Sequence, residues 1–209
     1  MTSSEPQPDP FDSSVEESLL DAWFAGNKEA MSDLLSAFKP RIWSICWRTL
    51  GHYEDAADLT QDVLVKVMVG IEGFDRRAKF STWVYRIAVN ACMSHLRKQK
   101  LRRHPSLDAP ASGPQEGGRT LTRGNQVPSR EPGPVEGVEH EDELRALGKA
   151  LETLDEEPRL LILLRDMHAV EYVQLAEIFE VPVGTIKSRL FRARAALCEE
   201  MKEQGTGER

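Results

Sequence analysis

Apolar positions recur every three or four residues along most of this chain. Val15, Leu19, Leu20 and Trp23 make one amphipathic stripe, closed by Gly26. Met31, Leu34, Leu35, Phe38, Ile42, Ile45 and Cys46 make a second, which ends at Gly51 and which Pro40 is expected to kink or break. Ala56, Leu59, Val63, Val67 and Ile71 make a third before Gly73, and Ser81 is placed to cap a fourth helix running to about Arg102. No segment alternates with a period of two between turn dipeptides, so no sheet is predicted.

The pattern stops at residues 104–140, whose 37 positions hold six prolines and six glycines. Such a composition cannot bury enough apolar surface to offset the entropy of ordering, and it predicts a flexible linker. Helical periodicity resumes near Glu141 with Leu144, Leu147, Leu151 and Leu154. Asp155 and Pro158 suit the start of a helix carrying Leu160 to Met167, and two more helices follow at about 171–179 and 183–200. The fold class is therefore all-α. Two small helical domains, 14–103 and 141–200, are joined by the linker and flanked by tails at 1–13 and 201–209.

Composition removes several classes of function. The longest clean apolar run, Leu160 to Leu164, is far short of the ~20 residues of a spanning helix. Residues 1–10 are polar and acidic, unlike a signal peptide, so a cytoplasmic chain without membrane insertion is expected. The three cysteines, Cys46, Cys92 and Cys198, are widely spaced and form no CxxC. Cys92 and His95 share a helix face but make only half a metal site. The five histidines are scattered, and no phosphate loop or nucleophile with a base is present, so no metal, cofactor or catalytic residue is expected.

Net charge is −7, the wrong sign for a nucleic-acid binder, but the charge is segregated. Residues 1–75 hold 14 acids and 5 bases, whereas residues 76–103 hold 9 bases and no acid. A second positive block contains Lys187, Arg189, Arg192 and Arg194. Two short basic blocks in an acidic background suit a chain that binds DNA within a larger assembly.

Residues 171–190 read as a helix-turn-helix, with Ala176 where two helices must approach and Val181-Pro182 at the turn. Val183, Ile186, Leu190, Ala193 and Leu197 would face the core. Thr185, Lys187, Ser188, Arg189 and Arg192 would then face the major groove, as phosphate or base contacts. The segment from Val181 to Arg194 resembles region 4 of the extracytoplasmic-function (ECF) sigma factors, which reads the −35 promoter element. Two positions depart from the family. Gly-Leu-Ser-Tyr often stands where this chain has Ala169-Val170-Glu171-Tyr172, and a turn glycine often stands at Glu180.

The N-terminal half carries a second resemblance. Residues 55–67 look like sigma region 2.2, which implies docking on the β′ coiled coil of core RNA polymerase, with the β subunit as a further contact. Asp58, Gln61, Asp62 and Val65 would lie on one exposed helix face. Residues 80–98 resemble regions 2.3 and 2.4, which melt and hold the −10 element. The chemistry suits a single-strand reader, because aromatics (Phe80, Trp83, Tyr85) interleave with Arg76, Arg77, Lys79, Arg86, Arg97 and Lys98. Asn90 and Ser94 can hydrogen-bond base edges, and residues 73–79 would wall a pocket for a flipped base. Trp83, Tyr85, Ile87 and Ala88 have core packing as their alternative.

The resemblance thus implies a non-catalytic subunit that binds core polymerase and promoter DNA, with an anti-sigma factor covering one or both domains. A helix-turn-helix regulator acting without polymerase is the alternative, but it has no use for residues 55–67. The two promoter elements stand about 25 base pairs apart, or roughly 85 Å at ~3.4 Å each. A relaxed 37-residue coil spans only ~35 Å, so the linker must be drawn out on the promoter. Its acids Asp108, Glu116, Glu131 and Glu136 would then run near the RNA path. Shortening the linker to about ten residues, ~35 Å at full extension, is expected to abolish run-off transcription from a promoter that needs both elements. Full activity after the deletion would contradict this geometry.

Overall fold

The structure, a computed structural model, describes residues 13–103 and 146–206. The expected linker at 104–140 lies outside the described residues, as does the expected N-terminal tail except for its last position. Among the described residues every element is helical. The N-terminal unit comprises α1 (Ser13–Phe24), α2 (Glu29–Leu50), α3 (Tyr53–Gly70) and α4 (Phe80–Arg103), with a short 3-10 turn at Ile71–Gly73. The C-terminal unit comprises α5 (146–153), α6 (Glu156–Ile162), α7 (Tyr172–Phe179) and α8 (Val183–Thr206).

Three local expectations are corrected, the first of them for a break and not for a kink. Pro40 neither breaks nor ends α2, which continues for 22 residues. Pro40 and Ser36 both lie on the exposed side, so water can take the carbonyl that the missing N–H would have met, while the opposite face stays packed. Ser81 does not cap α4, because the helix already includes Phe80. Its N–H instead donates to Glu16 Oε1 of α1 at 3.1 Å, so an acid from another helix serves this N-terminus. Finally, α8 runs on to Thr206, through much of the expected tail at 201–209.

In the N-terminal unit α2 lies against α1, α3 and α4, and α3 packs on α4. Leu34, Ile42, Ile45, Val63, Ile71, Phe80 and Val84 are at most 1 % exposed in its core. Gly51 ends α2 in the left-handed region at φ 67°, with its N–H on the Trp47 carbonyl at 2.9 Å. Gly70 is needed for a different reason. A Cβ there would stand 3.1 Å from the Trp83 ring, so α3 ends where the indole approaches backbone closely.

In the C-terminal unit α6 and α7 both pack on α8. After Ile162 the chain widens into a π-helical turn, Leu163–Met167. Leu160 to Leu164 are buried at every position, although a helix on the rim of a bundle would leave one side exposed. The cause is burial on both sides, with α8 on one and α2 and α4 of the N-terminal unit on the other.

The two units thus close on each other. Arg159 of α6 is 9 % exposed, and its guanidinium donates to the Thr49 carbonyl of α2 at 2.6 Å. The same group donates to the carbonyls of Glu152 (2.5 Å) and Leu154 (2.9 Å). Lys100 of α4 meets Glu156 at 2.6 Å, and α7 lies along α4.

His168 lies at this junction, its ring centroid 6.1 Å from that of Tyr85. Burial, with Arg41 and Arg48 nearby, pushes its pKa down to about 4, and its Nε2 is enclosed without a partner. An unfolded histidine takes a proton near pH ~6.5. On acidification the unfolded chain is therefore protonated first, and stability falls from about pH 6.5 until the folded pKa is passed. The loss between pH 7 and pH 5 is about 2 kcal/mol at most. Thermal melts at the two pH values are expected to show it, and the His168→Gln variant is expected to lose that part of the pH dependence.

Candidate polymerase and nucleic-acid interfaces

The first surface is the outer face of α3. Ala56, Leu59, Thr60, Val63 and Val67 point into the core and fix the helix rotation. Asp58, Gln61, Asp62 and Val65 are consequently exposed. Met68 and Val69, 48 % and 72 % exposed, extend the same side. The face is acidic toward the helix N-terminus and apolar toward its end. The apolar half was missed in the sequence because Met68 and Val69 fall outside the motif that drew attention to 55–67.

The second surface is built on the N-terminal half of α4 and the turn before it. Phe74, Phe80 and Trp83 pack ring to ring at 5.3–5.4 Å. Trp83 is half-buried and forms one wall of a cavity of about 500 Å³. Gly73, Phe74, Asp75, Arg77, Ala78, Thr82 and Arg86 line the rest, together with Glu177 from α7. Asn90, Ser94, Arg97 and Lys98 lie exposed farther along α4.

Not every expected residue faces this surface. Phe80, 1 % exposed, is enclosed between Phe38 and Phe74, with ring centroids 5.5 and 5.4 Å away. Tyr85, 3 % exposed, faces Phe38 and receives a hydrogen bond on its hydroxyl from Arg41 at 3.0 Å. Both are core residues here, because helical spacing turns positions 80, 84, 85 and 88 inward together. They support Trp83 and offer no free ring face. Arg76, Arg77, Lys79 and Arg86 are exposed. Arg76 pairs with Asp21 at 2.6 Å and lies 4.8 Å over the Phe24 ring, which ties the turn to α1. Arg77 pairs with Asp75 at 3.2 Å, and Arg86 pairs with Glu180.

The third surface is the N-terminal half of α8. Ile186, Leu190 and Ala193 are buried, as their spacing predicts. Lys187, Ser188 and Arg192 are exposed, and Thr185 is half-buried. Arg189 differs, since its guanidinium turns back to Glu157 of α6. Phe191, 75 % exposed, sits among these bases and was missed because an aromatic at helical spacing reads as core.

Comparison with known proteins agrees with this layout. The Sigma-70 region 2 family matches residues 34–102, and Sigma-70 region 4 matches residues 144–197. The ECF RNA polymerase sigma factor SigW of Bacillus subtilis (strain 168) is 32 % identical over 178 residues, covering 85 % of this chain and 92 % of that protein. The chain belongs to the ECF sigma factors. It binds core RNA polymerase and directs initiation at specific promoters. The ECF sigma-E factor of Escherichia coli (strain K12) is also 32 % identical, over 175 residues, with 82 % and 86 % covered. Two solved structures share the fold. CnrH in complex with the cytosolic domain of CnrY has a TM-score of 0.61 at 20 % identity, with 90 % and 97 % covered. The sigma factor RpoE in complex with the anti-sigma factor NepR, from Bartonella quintana, has a TM-score of 0.58 at 22 % identity, with 82 % and 96 % covered.

Both departures of this sigma factor from the family pattern fall on left-handed backbone. Ala169 has φ 52° and Glu180 φ 54°, the conformation that glycine adopts without strain. The helix-turn-helix forms nonetheless. Glu171 N–H donates to Gln174 Oε1 at 3.1 Å, and Arg165 donates to the Val170 carbonyl at 2.9 Å while lying 4.7 Å over the Tyr172 ring. Ala169→Gly is expected to stabilise the protein by roughly 1 kcal/mol, read as a higher midpoint in urea with an unchanged slope.

Proposed function

We propose that the three surfaces divide the work of initiation. The exposed face of α3 (Asp58, Gln61, Asp62, Val65, with Met68 and Val69) docks on the β′ coiled coil of core polymerase. The α4 surface holds the melted −10 strand, with Trp83 and the 500 Å³ cavity receiving an unstacked base and Arg77, Arg86, Arg97 and Lys98 meeting its phosphates. The α8 surface grips the −35 duplex through Lys187, Ser188, Arg192 and Phe191. Domain boundaries follow, with region 2 at 14–103, a linker at 104–140 and region 4 at 141–200.

The observation that carries this reading is the separation of chemistries. Acids and apolar groups, with Lys66 as the one base among them, predominate on the open side of α3, and the described part of α4 carries bases and no acid. A protein partner and a polyanion thus have separate faces on one small bundle. Among the described residues no helix is long and apolar enough to cross a membrane, and the chain acts in the cytoplasm, where the polymerase is. Because one protein of the same fold, the sigma factor RpoE, was solved with the anti-sigma factor NepR, an anti-sigma partner is the expected regulator.

The test is co-elution of the full chain with bacterial core RNA polymerase on size exclusion. The wild type is expected to co-elute, and the Asp58→Lys, Asp62→Lys double variant is expected to elute alone while keeping its helical circular dichroism. Retention of the variant on the polymerase would remove α3 as the docking face.

A further inference from the structure

The turn between α3 and α4 is a partition with two sides. Gly73, Asp75 and Arg77 line the cavity beside Trp83, whereas Arg76 and Lys79 face α1 across a smaller cavity of about 270 Å³ that Glu16, Glu17 and Asp21 also line. Phe74 and Ala78 border both. Three contacts from α1 hold this segment. Arg76 Nη1 donates to Asp21 Oδ1 at 2.6 Å, the Arg76 guanidinium lies 4.8 Å over the Phe24 ring, and Ser81 N–H donates to Glu16 Oε1 at 3.1 Å. Arg76 makes its two contacts from left-handed backbone at φ 59°, a conformation uncommon for any residue but glycine, so the bend there needs support from outside the turn.

We propose that Asp21 and Phe24 of α1 act on the −10 strand through Arg76, which is a positioning residue and not a strand contact. This role rests on the reading that the Trp83 cavity takes an unstacked base. Such a base is selected by pocket shape and by the polar groups around it. Asp75 and Arg77, paired with each other at 3.2 Å, flank Arg76 in the chain, so the backbone torsions that α1 holds at Arg76 set where those two groups stand. Glu16 fixes the other end of the segment. It is 8 % exposed, and its carboxylate meets the N-terminus of α4, where the helix dipole favours negative charge. The Asp21–Arg76 pair is the weaker tie, with side chains 68 % and 45 % exposed, so solvent screens it and a change there shifts the turn without unfolding the bundle. Neighbouring bases thus differ in role: Arg77 faces the strand, and Arg76 faces the protein.

The experiment uses holoenzyme assembled from the full chain and bacterial core RNA polymerase, with a random-sequence single strand of about 12 nucleotides as probe, within the usual site size of a single-strand groove. Sequencing the retained strands reads base preference, and total retention reads binding. Asp21→Arg, Arg76→Asp, the double exchange of both, and Trp83→Ala are compared with the wild type. Each single exchange is expected to weaken the preference at one position about three-fold, with helical circular dichroism unchanged. The double exchange restores an ion pair of reversed polarity and is expected to recover most of that preference. Single exchanges that leave the preference unchanged, with or without lost retention, would overturn the proposal. A double exchange no better than Arg76→Asp alone would mean that Arg76 meets the strand itself, which overturns the positioning role and leaves the −10 reading standing. Preference intact in Trp83→Ala, or absent from the wild type, would remove the −10 reading and this role with it.

Discussion

One buried cation organises this molecule. Arg159 places its guanidinium between the last turn of α2 and the end of α5, where the carbonyls of Thr49, Glu152 and Leu154 have no helical partners of their own. Helix C-termini carry partial negative charge, so two of them converge on one positive group. Burial pulls the Arg159 pKa down, while Glu152, Glu156 and Asp155 act in the opposite sense. Removing the side chain would strand three carbonyls at once, each costing about 1–3 kcal/mol if left buried and unpaired. Closure of the two units depends on this group together with the apolar run beside it.

That apolar run explains why the interface takes this form. Leu160 to Leu164 have no polar side, so α6 cannot lie on the rim of a small bundle with one face in water. It needs cover from both directions, and α2 and α4 supply the second. Once α6 is seated, α7 is carried onto the N-terminal half of α4, where Gln174 meets Thr82, Glu177 borders the cavity beside Trp83, and Glu180, just past the end of α7, pairs with Arg86. Packing in one place thereby sets electrostatic occupancy in another.

The same logic governs the surface around Trp83. Phe80 and Tyr85 share its sequence motif but lie in the core, and their role is to hold α4 at the rotation that presents Trp83 and Arg86. Gly70 completes the arrangement by letting the indole lie against the end of α3. Aromatic residues in a nucleic-acid motif thus divide into those that support the surface and those that form it.

The sequence by itself determined the helical class, most of the helix positions, the two-part organisation and the outward faces of α3 and α8. These depend on periodicity, and a 3.6-residue repeat states which side of a helix is apolar without reference to any neighbour. Only the tertiary structure decided which aromatics of α4 are enclosed, that α2 passes through Pro40, and that Arg189 turns to Glu157. The meeting of Arg86 with Glu180 and of Thr49 with Arg159 belongs to the same group, since these partners are 94 and 110 residues apart in the chain. No local pattern encodes such pairs. They follow from how one buried helix distributes its apolar surface between two bundles.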